Sequence, residues 1–454
     1  MKQRIRVIQD HPVNEDGQYV LYWMQHTQRI HQNGALYHAV LEANRLEKPL
    51  KVVFCIARTF KDGADRHYHF MIEGLKDLRR SFETRGIDFT VTTGDFLIEI
   101  PRHFSRATQL VTDKAYVRPL REMRRKMTAE AESLRIEEVE SDVSVPVEVA
   151  SDKVEYAART IRKKLWNALK DPSPLPEIPA IHQKAKSHAG MLDESAESII
   201  KRCDINHEVG KVDRFKGGER EALRRFESFL THEIHQYSSL SNDPGAYAIS
   251  TLSPYLHFGM ISPLHMLETI QKEVEDGTVE QADADAYLEQ LIVRRELAFN
   301  YVYFFEDGYD AFESMTYGWA YKTMEAHKHD TREAIYDLHT LKEGRTHDRY
   351  WNACMQEMRE TGFMHNYMRM YWGKKIIMWS RTYKEAYDTI RTLNNLYFLD
   401  GRDPNSYAGI AWCFGRHDRA FQERDVLGKL RPLSANGLRR KFDIETYVNR
   451  FSNE

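Results

Sequence analysis

Cysteine is scarce in this 454-residue chain: Cys55, Cys203, Cys354 and Cys413 lie far apart, with no C-x-x-C pair among them. That excludes a disulfide framework and argues against structural zinc or an iron–sulfur cluster, so no metal centre is expected. Glycine (23) and proline (14) are few, which excludes a fibrous or low-complexity chain. No apolar run reaches the roughly 18 residues a membrane helix needs. The opening MKQRIRVIQDH has no apolar signal core, so the expected address is the cytoplasm, in a prokaryotic cell. Neither charge sign dominates: 65 Lys and Arg face 68 Asp and Glu, a net charge of −3. A nucleic-acid partner would therefore have to meet positive charge gathered on one face. No G-x-G-x-x-G follows the first strand signal, so no dinucleotide fingerprint is present. No paired acid and base or activated nucleophile is evident either.

What is present begins with alternation. Short β-rich runs at 19–24 (YVLYWM), 51–57 (KVVFCIA), 87–93 (IDFTVTT), 109–112 (QLVT) and 134–139 (LRIEEV) are separated by amphipathic stretches such as 31–46 and 67–85. This predicts a parallel, doubly wound α/β domain over residues 1–170. A Pro-rich stretch at 171–179 (DPSPLPEIP) reads as linker, extending to about residue 213. From Arg214 onward nearly every segment has helical period, for example 219–236, 284–305 and 352–379. The expected fold class is thus α/β plus α: a Rossmann-like parallel domain, a long connection, and an all-helical domain over 214–454.

Three stretches of the helical part carry unusual side chains. In 361–375 (TGFMHNYMRMYWGKK), His365 and Arg369 are four apart and share a helix face, and Trp372 follows Arg369 by three. Taken alone this is a mixed buried helix with one satisfied arginine. The run 394–405 (NNLYFLDGRDPN) is too rich in turn formers for core and leads into SYAGIAWCF, where small residues ahead of Trp412 would admit a flat ring. In 249–259 (ISTLSPYLHFG), Ser250, Thr251 and Ser253 precede a helix beginning near Pro254. That is either a phosphate cradle at a helix N-terminus or a routine N-cap.

Together TLSPYLHFG, MHNYMRMYWGKK, LDGRDPN–YAG–AW and the closing GKLR…RRKFD resemble the photolyase/cryptochrome superfamily, and within it the class II cyclobutane-dimer photolyases. YWM near the start and EYAARTIRKKL at 155–165 belong to the same resemblance, which spans nearly the whole chain. It implies an α/β antenna domain and a helical domain holding reduced FAD, with a possible second, antenna chromophore of deazaflavin or folate type. It implies a monomer that repairs ultraviolet-damaged DNA by light-driven electron transfer from the flavin to a pyrimidine dimer flipped out of the duplex. Carried over by position, Tyr237, Ser250, Thr251, Leu252 and Ser253 would contact the FAD phosphates and ribityl chain. Asn366, Arg369 and Asp400 would line the isoalloxazine, and Asn394 would face its N5. Trp351, Trp372 and Trp379 match a tryptophan chain from surface to flavin. Trp412 would stack on the dimer, with Met370 at its edge, and Gln290 stands where the family has a dimer-binding glutamate. Basic residues offered to DNA phosphates are Arg294, Arg295, Lys374, Lys375, Lys429, Arg431, Arg439, Arg440 and Lys441.

Three departures from the family pattern stand out: Gln290 for glutamate, Gln25–Arg29 (QHTQR) with Gly34 in the antenna half, and Asn366 where glycine is common in class II. Glu289 is about 100° around an ideal helix from Gln290 and is no substitute for it. The alternative activity is a cryptochrome-like photoreceptor with the same fold and flavin but no repair.

Overall fold

The runs of β-branched and aromatic residues pair as the alternation predicts. The structure, a computed structural model, describes residues 1–131, 133–170, 175–186 and 190–452. Strands β1 (Ile5–Gln9), β2 (Tyr19–Trp23), β3 (Leu50–Ala57), β4 (Thr59–Ala64), β5 (Asp88–Gly94), β6 (Ala107–Asp113), β7 (Ile136–Val139) and β8 (Asp204–Asn206) follow in chain order. Six of them form one sheet in the order β1-β7-β6-β2-β3-β5. Every pairing in it is parallel except β1 with β7. All five residues of β2 are buried, as a central strand covered on both faces requires. Val20 and Tyr22 pack with Leu36, Val40, Ile72 and Leu75 from the helices Gly34–Arg45 and Asp65–Arg85. Tyr19, Leu21 and Trp23 face the opposite way, toward Met127 of Arg118–Glu130. This period-two split is what makes the domain doubly wound.

Three strands were not anticipated. Strand β1 adds an antiparallel edge, and β4 pairs with β8 in a separate parallel ribbon that ties the α/β domain to the connecting chain. Of the Pro-rich stretch, 171–174 lie outside the described residues and 175–180 carry no regular structure.

The helical part differs from expectation at two joints. The 352–379 run is two helices, Arg349–Thr361 and Asn366–Trp379, because Gly362 takes φ +69, a left-handed value that ends the first. The helical run 281–304 is continuous, but its middle, Glu289–Arg294, is a π-helix.

The α/β and helical parts meet through buried polar groups. On the α/β side, Asp113 Oδ2 fixes the segment at the seam by accepting the backbone N–H groups of Gln25, His26 and Thr27 at 2.8, 3.0 and 3.1 Å. Arg29, 1% exposed, donates to Gly259 O at 2.9 Å and Ser141 O at 2.8 Å. Gly259 sits at φ +65, and a Cβ there would lie 1.8 Å from His26 O. The QHTQR segment and the end of TLSPYLHFG are thus two halves of one seam. Glu296 closes the seam elsewhere: its Oε1 and Oε2 accept the N–H groups of Ser144 and Val145 at 2.5 and 3.2 Å. Burial pushes the Glu296 carboxyl up to about 7.

Candidate functional site

The helix Pro404–Cys413 starts at Asp403, whose carboxylate caps Asn405 N–H at 2.8 Å. Burial opposes charge on Asp403, but the hydrogen bond and charge of His257, 3.1 Å away, prevail and hold it down at about 2. One stripe of this helix is open. Asn405 and Gly409 are exposed and Trp412 is half-buried, at the i, i+4, i+7 spacing of a single face, while Ser406, Ile410 and Cys413 are buried. A Cβ at Gly409 would meet nothing within 4 Å, so a flat group can come right up to the backbone there.

Beside this stripe stands the ion pair anticipated from the sequence. Arg369 Nη2 reaches both Asp400 oxygens at 3.0 Å, and its guanidinium lies 4.0 Å from the Phe398 ring centroid. Ser406 Oγ donates to Asp400 O at 2.9 Å, which couples the pair to the open helix. Asn394, 7% exposed, is fixed by donating to Asn395 Oδ1 at 3.0 Å. Asn395 in turn receives Arg402 N–H at 3.2 Å. Sequence reading missed Asn395, Arg402 and the His257–Asp403 cap, although the adjacent amides and the Asp-Pro helix start are visible signals. Asn366 is exposed at the first turn of its helix, with Met370 half-buried one turn on. His365 Nδ1 accepts Tyr367 N–H at 3.2 Å, and burial holds the ring down at about 4.

The 249–259 segment has the strained, unsatisfied geometry of a cradle. Thr251 takes φ +53, rare for a β-branched residue. Ser253 Oγ is buried with no hydrogen-bond partner. Leu252 is 1% exposed, and Ser250 is half-buried beside it. Tyr237, 8% exposed, packs edge-on to Tyr287 with centroids 5.1 Å apart. Burial raises the Tyr237 phenol to about 12, so it stays a donor. An orphaned buried hydroxyl, an open glycine and a half-buried arginine–aspartate pair fit a phosphate-bearing planar cofactor.

On the 281–304 helix, Gln290 and Arg294 are exposed while Leu291, Ile292, Val293, Arg295 and Glu296 are buried. Both exposed residues lie within the π-helical turn, and such bulges are frequent at functional sites. Glu289 is engaged elsewhere, with Arg162 at 2.8 Å and Arg294 at 3.1 Å.

Behind Arg369 lie the three indoles. Trp351, Trp372 and Trp379 are 0%, 2% and 1% exposed. Trp351 Nε1 donates to Trp372 O at 3.1 Å, and its ring is 5.6 Å from that of Trp379. Trp379 does not reach the surface as expected: Tyr336 and His347 cover it, each with a centroid 5.3 Å away.

The basic set divides. Arg439, Arg440 and Lys441 are exposed on the last turn of Ala435–Lys441. Lys429 is exposed too. Arg431 stands 5.7 Å from the Trp412 ring and pairs with Asp418 at 2.8 Å. Arg295, Lys374 and Lys375 are 6%, 0% and 7% exposed, so they are withdrawn from the DNA-facing set. Lys375 pairs with Asp348 at 3.0 Å. Lys374 donates to Cys413 O and lies 5.3 Å from the Trp412 ring. The second half of the Asn366–Trp379 helix is buried nearly all round, which carries Lys374 and Lys375 inward.

Residues 20–182 match the DNA photolyase family model. A relative from Methanothermobacter thermautotrophicus, named deoxyribodipyrimidine photo-lyase, is 40% identical over 452 residues, which is 99% of this chain and 98% of that one. The chain belongs to the DNA photolyase family. It is therefore a photo-lyase, a flavoprotein of DNA repair. The fold agrees: a cryptochrome of Synechocystis sp. PCC6803 superposes with TM-score 0.73 at 17% identity, covering 95% of this chain and 88% of that one. An archaeal photolyase from Sulfolobus tokodaii with two FAD molecules gives 0.69 at 15% identity, covering 96% and 90%. No described helix is long and apolar enough to cross a membrane.

Proposed function

We propose that this enzyme is of the class II type and splits cyclobutane pyrimidine dimers in DNA under blue light, acting as a monomer. The observation that carries the reading is the open Asn405–Gly409–Trp412 stripe set against the Arg369–Asp400 pair. FAD, when bound and reduced, supplies the light-driven electron that cleaves the dimer.

The chain's own residues bind and tune. Tyr237, Ser250, Thr251, Leu252 and Ser253 hold the phosphates and ribityl chain, and a phosphate oxygen gives Ser253 Oγ the acceptor it lacks. Arg369 and Asp400 orient the ring, with Asn366 at the mouth; a paired charge of this kind serves orientation more than stability. Asn394 keeps an amide that donates and accepts, so it stays bonded to the flavin in either protonation state. Trp412 stacks on the flipped dimer, Met370 borders it, and Gln290 pairs with its base edge. Arg294, Arg439, Arg440 and Lys441 meet phosphates. Trp379, Trp351 and Trp372 carry electrons inward to restore the reduced cofactor.

Gln290 is the one observation that favours the second reading, a photoreceptor, since it removes the family's carboxyl. The purified protein should release one FAD per chain on denaturation; FMN, or folded protein without flavin, contradicts the assignment. The same spectrum reads the antenna, because a deazaflavin or folate adds a near-ultraviolet or blue band of its own.

A further inference from the structure

A groove of about 450 Å³ lies beside the dimer site, lined by Tyr156, Arg159, Trp319, His417, Asp418 and Arg419 among others. It has a rigid aromatic floor. Tyr156, 45% exposed, stacks on Tyr317 with centroids 4.3 Å apart and planes 15° from parallel. Its carbonyl fixes the neighbouring segments, accepting from Tyr317 OH at 2.6 Å and His417 Nδ1 at 2.8 Å. Arg416 supports Tyr317 with its guanidinium 4.5 Å from the ring. The charge is unbalanced. Asp418 is consumed by Arg431 at 2.8 Å, whereas Arg159 and Arg419 are both exposed with no ion pair among the described residues. The groove and the dimer site share a wall, since Arg431 also stands over Trp412 and His417 follows it by five residues.

An exposed stacking face flanked by guanidiniums held in no ion pair, Arg419 resting 5.2 Å from the Phe421 ring, is the composition of a single-strand DNA groove, with aromatics for bases and cations for phosphates. Flipping a dimer out of a duplex leaves two bases of the opposite strand without partners. Resting on the repair reading above, we infer that this groove takes an unpaired base of the undamaged strand, stacked on Tyr156, with Arg159 and Arg419 on its phosphates. The site selects for damage in duplex DNA, which the dimer pocket alone does not do.

The test is dark equilibrium binding of the flavin-loaded protein to one dimer oligonucleotide, single-stranded and annealed to its complement. Tyr156→Ala should weaken duplex binding about tenfold, the order of one base–aromatic stack. It should leave single-strand binding and light-driven splitting of the single strand unchanged, and Tyr156→Phe should restore the duplex affinity. Arg159→Gln with Arg419→Gln, which leaves the floor intact, should weaken only the duplex and flatten its salt dependence. 2-Aminopurine opposite the dimer should be quenched by the unsubstituted protein and recover with Tyr156→Ala. Equal losses on both substrates, or no loss on either, overturn the proposal. Failure of the unsubstituted protein to prefer dimer DNA contradicts the repair reading instead.

Discussion

The Trp379 indole lies 5.6 Å from Trp351 at 70°, and both are buried to 1% exposure or less. Trp351 in turn donates to the backbone of Trp372, one turn beyond Arg369. Seven residues of helix put Trp372 and Trp379 about 10 Å apart, and Trp351 bridges that gap. Trp372→Phe should abolish light-driven flavin reduction while chemically reduced protein still repairs. Unchanged photoreduction in that variant would rule out the route.

Because the net charge is −3, DNA affinity has to come from local cations. Neutralising Arg439, Arg440 and Lys441 together should weaken binding and flatten its decline with salt by up to three phosphate contacts' worth, roughly 0.9 in log–log slope for each. If neither affinity nor slope moves, the last turn of this helix is only a solvated face.

Lys374 is a buried ammonium with no ion pair among the described residues, and burial lowers it from 10.5 to about 8. The unfolded chain then binds more protons than the folded one between about pH 8 and 10.5, so stability rises with pH across that window. Below it the full cost, about 3 kcal/mol, is present. Lys374→Met removes that cost and loses the charge-assisted hydrogen bond to Cys413 O, worth about 1.5–3 kcal/mol. A net gain of up to about 1.5 kcal/mol at pH 7, fading toward pH 10.5, is expected in denaturant titrations. Destabilisation at pH 7 would show that the charge has an unseen partner.

Gln290 is exposed on the π-turn, and its neighbour Glu289 is tied to Arg162 and Arg294. Glu289 is therefore not free to replace the family's glutamate. Gln290→Glu should leave affinity for dimer DNA within a few-fold, on the order of 1 kcal/mol for one altered hydrogen bond. It should raise the repair yield per absorbed photon on fully reduced protein. An unchanged or lower yield would mean that the site has adapted to the amide.

Much of this was legible beforehand. Strands β2, β3, β5, β6 and β7 announced themselves as short β-rich runs, and the Arg369–Asp400 pair followed from the resemblance. Strand β1 escaped because an edge strand is half exposed and lacks a continuous apolar signal. The π-turn at Gln290 has no local signature, since its extra residue is accommodated by packing between helices. Lys374 and Lys375 read as surface charges, yet GKKIIMW is the half of its helix that is buried nearly all round, and only tertiary contacts decide that. Gly362 was visible as a helix stop but lay inside an unbroken helical period. Trp379 could be placed on its helix from spacing alone. Its cover by Tyr336 and His347 comes from a segment more than 30 residues away.

The most direct test is dimer splitting itself. Fully reduced, purified protein is mixed with an oligonucleotide carrying one cyclobutane pyrimidine dimer, and dimers are counted after blue light and after an equal time in darkness. Loss of dimers in light alone, abolished when the flavin is removed and regained when FAD is added back, is the predicted result. Splitting in darkness, or none under light despite bound reduced FAD, would contradict the account.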